Sequence, residues 1–253
     1  MKKLYLTVAG ILLVGSVFLM GGDCGGTTGG VTITGVTVSA EGMDLTVEWD
    51  VVEGADGYIV YVDDVAIDTI DDGTITECTI TAANAGKVIE VALSDGTGGD
   101  TYDLTPVATG NVDVYSIADT DPNHPSGLHF ADNGAATAVS VTNSPDLVDL
   151  YVDGAAAAEL ALNSPDVHSP PYNNEKNYIA DWTGGNVADS AWTYYNYTNY
   201  LAIGDAFAVH LGWGDGWDAN DHFAKIDITA IDNLKVSMST LYQREGGLRW
   251  IVD

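Results

Sequence analysis

Leu45-Thr-Val47-Glu-Trp49 and Tyr58-Ile-Val60-Tyr-Val62 alternate large apolar residues with others at a period of two, and that period recurs along most of the chain. A period of two puts one face of an extended segment in a core and the other toward water, so such segments read as half-buried strands. Val31 to Val38, Val65 to Ile67, Ile75 to Thr81, Lys87 to Leu93 and Thr101 to Val107 follow the same rule. Glu53-Gly54, Asp63-Asp64, Asp71-Asp72-Gly73, Asn84-Ala85-Gly86 and Asp95-Gly96 supply turn chemistry between them. About seven short strands in about 80 residues predict a β-sandwich. Beyond residue 109 strand signals continue at 111–117, 138–141, 147–152, 206–211, 223–228, 234–241 and 248–252. No segment there sustains a capped helical period; Ala155 to Leu162 allows a helical turn or two, ended by Asn163-Ser-Pro-Asp166. The same Asn-Ser-Pro-Asp stands at 143–146, and both read as turns with Pro setting the first turn residue. The expected fold is all-β: one β-sandwich over residues 31–108, followed by a larger antiparallel β-sandwich over 109–253.

The stretch from Leu45 to Asp64, LTVEWDVVEGADGYIVYVDD, resembles the B and C strands of fibronectin type III domains. Trp49, Gly54, Ala55, Tyr58, Val60 and Tyr61 stand where that family has its core tryptophan, its Gly-Ala turn and its next strand. Lys87-Val-Ile-Glu-Val-Ala-Leu resembles the family's F strand, with Val88 where a tyrosine is usual. The resemblance implies a sandwich of the kind used as a spacer or adhesion unit, and a fold alone names no activity. The second region resembles the HmuY-type family of bacterial envelope lipoproteins in Leu147-Val-Asp-Leu-Tyr-Val-Asp and in the pair Ala206-Phe-Ala-Val-His-Leu and His222-Phe-Ala-Lys-Ile-Asp-Ile. Some members of that family bind haem, but no histidine pair of this chain can be matched to the family's ligands.

Met1 to Met20, Met-Lys-Lys followed by an apolar run from Leu4, has the layout of a signal peptide, taken as residues 1–23. At 17 residues the run is marginal for a membrane span, which leaves an uncleaved anchor as the alternative. Cys24, leading into a Gly/Thr-rich tether over 24–30, resembles the lipobox cysteine of bacterial lipoproteins, although Asp23 and Gly21 depart from the usual residues before it. Lipidation at Cys24 and ordinary secretion both remain open. The expected location is the bacterial cell envelope, cell surface or extracellular space, with a membrane reached only through an N-terminal lipid or anchor.

The chain carries 37 acidic against 8 basic residues, a formal charge of −29. Such a surface repels phosphate backbones and anionic lipid, which argues against nucleic-acid binding. Two cysteines, Cys24 and Cys78, exclude a disulfide framework, and Cys78 reads as a buried core residue.

Candidate ligand residues gather between Trp192 and His222, where four tyrosines fall within Tyr194 to Tyr200. Were this stretch extended, Trp192, Tyr194 and Tyr200 would share one face, with Tyr195 and Tyr197 opposite. Phe207, Val209, Leu211 and Trp213 would point into the core and His210 away. Trp213-Gly-Asp-Gly-Trp217-Asp-Ala-Asn-Asp221 combines indole faces for stacking on sugars with carboxylates for hydroxyls or Ca²⁺. The expected ligand site is therefore Trp192, Tyr194, Tyr200, Trp213, Asp215, Trp217, Asp218 and Asp221. Asp119-Thr-Asp121-Pro-Asn123 has alternating oxygens suited to Ca²⁺, without the glycine and glutamate of an EF-hand. His124, His129 and His168 are the loop histidines available for a metal or haem, a reading that ranks last.

No Gly-x-Ser-x-Gly, P-loop, GxGxxG or HExxH is present, and the expectation is a protein without catalytic activity. The favoured function is binding or adhesion, with a surface glycan, a protein or copies of itself as partner. The alternatives are a subunit of an extracellular filament or surface layer, and an envelope lipoprotein that captures haem or a metal.

Overall fold

A computed structural model describes residues 29–189, 192–212 and 218–253. The export segment and Cys24 lie outside the described residues. The fold is all-β, and every ladder between named strands is antiparallel. No helix among the described residues is long and apolar enough to cross a membrane.

Seven strands build the N-terminal sandwich: β1 (Ile33–Val38), β2 (Leu45–Trp49), β3 (Tyr58–Val62), β4 (Val65–Ile70), β5 (Glu77–Ile80), β6 (Val88–Leu93) and β7 (Asp100–Asp103). One sheet has the order β1-β2-β5 and the other β4-β3-β6-β7. The alternation works as expected. Leu45, Val47 and Trp49 of β2 face Tyr58, Val60 and Val62 of β3 across a closed core that also takes Cys78. The Trp49 and Tyr58 rings meet edge-on at 5.3 Å. The Tyr58 hydroxyl accepts from the Val52 amide at 3.0 Å and donates to the Gly73 carbonyl at 3.2 Å, tying two turns to the core. Asp63 and Asp64 form the β3–β4 hairpin turn with φ of 49° and 64°, a left-handed conformation that Asp tolerates better than bulky residues.

The C-terminal region adds β8 (Val107–Tyr115), β9 (Gly127–Phe130), β10 (Ala136–Val139), β11 (Leu150–Asp153), β12 (Ala161–Asn163), β13 (Tyr178–Asp181), β14 (Ala206–Leu211), β15 (His222–Asp232) and β16 (Lys235–Gln243). A sheet of order β10-β9-β11-β12 packs on one of order β13-β14-β15-β16-β8. Phe207, Val209 and Leu211 point into the core between them, as their parity requires. The opposite face of β14 is covered as well. Ala208 joins Phe223, Ala188 and Ile251 in a second apolar layer, and His210 is fully buried there. A strand buried on both faces explains the unbroken run Ala-Phe-Ala-Val-His-Leu.

The structure refines the sequence reading at two places and departs from it at two others. β9 and β13 are four-residue strands that the pattern did not announce. Ala155 to Leu162 forms one short 3-10 turn, Ala157–Glu159, and then enters β12. The two Asn-Ser-Pro-Asp segments lead into 3-10 turns at Pro145–Leu147 and Pro165–Val167, with Pro in the first turn of each. Most consequentially, residues 248–252 are not a strand. They run between the two sandwiches, and Leu248 and Trp250 complete the core of the N-terminal one.

Candidate functional site

The tyrosine-rich segment does not form the strand that its parity assumed. It crosses from one sheet to the other over their open edges. The Ile179 amide of β13 donates to the Tyr195 carbonyl at 2.6 Å, and the Tyr195 amide returns a bond to Ile179 at 2.8 Å. The next residues turn to the opposite sheet. The Ser164 amide donates to the Asn196 carbonyl at 2.8 Å, the Thr198 amide to the Leu162 carbonyl at 2.8 Å, and the Leu201 amide to the Leu160 carbonyl at 2.7 Å. The Thr198 hydroxyl accepts from the Leu162 amide at 3.0 Å.

This path redistributes the aromatic side chains. Trp192 and Tyr194, expected in the ligand site, are partly buried against the second apolar layer. Trp192 meets Trp182 edge-on at 5.2 Å. Burial raises the Tyr194 phenol to about 12, with Arg249 opposing the rise. Tyr195, Tyr197 and Tyr200 are instead 56%, 54% and 68% exposed. Of the expected trio, only Tyr200 faces solvent freely, and the two tyrosines set on the other face join it.

The exposed rings border a cleft of about 310 Å³ whose walls include Tyr195, Tyr197, Thr193, Asn199 and Asp181, with Ile179 and Phe207 beneath. Asp181, Asn199 and Phe207 also line an adjoining hollow of about 410 Å³, which Tyr200, Trp182 and Asp205 complete. The Tyr195 and Tyr197 rings lie 6.4 Å apart at 44°. Two flat apolar faces flanked by hydroxyl, amide and carboxylate groups can receive a ring-shaped polar ligand: C–H groups meet aromatic carbon, while hydroxyls exchange hydrogen bonds with the rim. Sequence reasoning missed Tyr195, Tyr197, Asp181, Asn199 and Asp205 as site residues. The density of tyrosines was the available signal.

The loop expected to complete the ligand site divides. Trp213, Asp215 and Trp217 lie outside the described residues. Asp218 is exposed, and its carboxylate accepts the Asn220 amide at 2.6 Å. Asp221 is only 3% exposed, which removes it from any open ligand surface. Its carboxylate faces His210 Nε2 at 2.8 Å and accepts the Asp218 amide at 3.0 Å. The residue is a buried anchor for the chain on either side of that loop.

The expected Ca²⁺ ligands also have other partners. Asp119 accepts the Asp121 amide at 2.9 Å and faces His124 Nδ1 at 3.0 Å. Asp121 accepts both the amide and the side-chain nitrogen of Asn123 at 2.9 Å. These bonds lower the pKa of both carboxyls. His124 stacks on Tyr115 with centroids 3.8 Å apart, closing a compact turn. Among the described residues, no group of three or more His, Cys, Asp or Glu side chains is placed to hold a metal ion. The candidate histidines have separate partners: His129, which lies on β9 and not in a loop as expected, has Asp149 at 3.1 Å, and His168 has the Pro170 carbonyl at 2.7 Å and a stacked Tyr172.

Cys78 sits in the N-terminal core with Asp68 at 3.6 Å. Burial first, and then Asp68, push its thiol to about 11. A thiol so far from its thiolate is a poor nucleophile. Alkylation of the native protein with iodoacetamide at neutral pH should leave the Cys78 peptide unmodified by mass spectrometry, and denaturation should expose it. Rapid labelling of that peptide in the native state would contradict its place in the core.

No family model matches the chain, and no curated protein is significantly similar to it. Among solved structures it is similar to that of a DUF4466 family protein from Parabacteroides merdae. That similarity has a TM-score of 0.41 and 11% sequence identity, and covers 86% of this chain and 99% of the other.

Proposed function

We propose that the chain is an exported, non-catalytic carbohydrate-binding protein whose C-terminal sandwich takes a glycan in the tyrosine cleft. The observation that carries this reading is the exposure of Tyr195, Tyr197 and Tyr200 together along a cleft edged by Thr193, Asn199, Asp181 and Asp205. Large aromatic side chains are normally drawn inward, and three in one exposed row mark a contact surface. The fibronectin type III-like character read from Leu45 to Asp64 supports a spacer role for the N-terminal sandwich. The signal-like N-terminus supports display outside the cell.

Calorimetric titration with neutral oligosaccharides tests the reading. Tyr195→Ala and Tyr197→Ala should each weaken binding roughly tenfold, the factor that corresponds to ~1.4 kcal/mol of lost stacking. Failure of every neutral oligosaccharide to bind, or binding unaffected by both substitutions together, would remove the cleft as the site.

A further inference from the structure

The electrostatics of the cleft narrow the class of glycan, an inference that rests on the carbohydrate reading above. Asp181 is exposed at the junction of the two hollows, and among the described residues its carboxylate has no hydrogen-bond or ion-pair partner. Asp205 lines the adjoining hollow, with one oxygen accepting the Ala202 amide at 2.7 Å. Among the described residues, no Lys, Arg or His lines either hollow. A cationic group behind the wall is Lys225, whose Nζ lies 5.6 Å from the centre of the Trp182 ring. It is paired with Asp227 at 3.2 Å and Asp253 at 3.1 Å, so that cluster carries a net negative charge. Tyrosine faces also attract cations through the ring quadrupole.

We infer that the cleft selects oligosaccharides bearing protonated amines, of the glucosamine type, over their neutral and anionic counterparts. The ammonium group meets the Asp181 carboxylate while the sugar ring lies against the tyrosines. Uronate or sulfated chains would bring anions onto Asp181 and Asp205 with no basic side chain in the lining to receive them.

The experiment compares a glucosamine tetramer with its fully N-acetylated counterpart, by calorimetry in mildly acidic buffer with the intact protein. The two differ only at the amine. The salt is set near physiological strength, where the Debye length is about 8 Å and the remote acidic surface is largely screened. The amine form should bind roughly tenfold tighter, the scale of one charge-assisted contact, and the ratio should fall toward one in Asp181→Asn. Equal binding of the two sugars overturns the amine preference and leaves the cleft reading intact. A preference unchanged in both Asp181→Asn and Asp205→Asn also overturns it, because the discrimination then lies elsewhere. Absence of binding by either sugar overturns the preference, and extending the titration to the neutral oligosaccharides above then shows whether the carbohydrate reading fails with it.

Discussion

Replacing Trp250 with alanine is expected to cost about 3–5 kcal/mol of stability, the range for removing a fully buried large aromatic side chain. The effect should extend to both sandwiches. Trp250 is completely buried in the N-terminal core beside Leu248. Its indole nitrogen donates to the Met43 carbonyl at 2.8 Å, and its own carbonyl accepts Gln243 Nε2 at 2.8 Å. Gln243 ends β16 of the C-terminal sandwich, and the same side-chain nitrogen donates to the Leu104 carbonyl at 3.2 Å. Arg249 reinforces the junction: its amide donates to the Gly42 carbonyl at 3.0 Å and its Nε to the Glu41 carbonyl at 2.8 Å. The wild-type chain should therefore unfold in one cooperative transition. Trp250→Phe, which keeps a ring but loses the Met43 bond, should cost distinctly less than Trp250→Ala. Urea denaturation followed by circular dichroism and by fluorescence measures both effects. A loss below about 1 kcal/mol in Trp250→Ala would rule out the proposed role of this residue.

Removing Asp221 should be nearly as costly. The pair with His210 has side chains 0% and 3% exposed, so water cannot replace the lost bond. Asp221→Ala leaves His210 Nε2 without that partner and the Asp218 amide without its acceptor, at about 2–4 kcal/mol. The pair also sets a pH response. Burial holds the His210 imidazole below its ordinary 6.5, outweighing the Asp221 bond, while Arg249 lowers it further and Asp218 opposes. The unfolded chain therefore takes up the proton first. The stability that His210 contributes is complete above about pH 6.5 and is lost as pH falls from there through its folded value. His129 has the opposite sign. Its bond to Asp149 raises it above 6.5, so its contribution is present below that pH and lost as pH rises through the folded value. Comparing His210→Gln with the wild type over this range isolates the first effect. The variant should lose less stability on acidification, and superimposable profiles would exclude His210 as the source.

Local patterning disclosed the strands more readily than their partners. β2 and β3 have the predicted boundaries, since Leu45 to Trp49 and Tyr58 to Val62 each satisfy a period of two beside clear turn chemistry. Parity also placed Phe207, Val209 and Leu211 in the core and turned His210 to the other face. It could not show that this other face is covered, because the cover comes from Ala188 and Ile251, remote in sequence. The same limit applies to Trp250, whose neighbours in space lie some 200 residues earlier. At the candidate site the error had a different source. A period of two was applied to Trp192 through Tyr200, yet that segment pairs with β13 at one point and with the β12 side at the next. Burial still alternates from Trp192 to Asn199, so parity grouped Trp192 with Tyr194 and Tyr195 with Tyr197 as the structure does. It could not show that the first pair is covered by the layer of Ala188, Ala208 and Ile251, nor that Tyr200, past the change of partner, leaves that face. Tyr195 and Tyr197 thus emerged where Trp192 and Tyr194 were expected.

The crossing segment has a mechanical consequence. A ligand held by Tyr195 and Tyr197, as proposed, would pull on a stretch bonded to both sheets, through Ile179 on one side and Leu162 on the other. Tension on such a partner would be shared between the two halves of the sandwich from the first bond onward. It would not fall on a single hairpin that could peel away one hydrogen bond at a time. An attachment made this way would resist shear along the cleft better than a ligand held on a free loop of equal affinity.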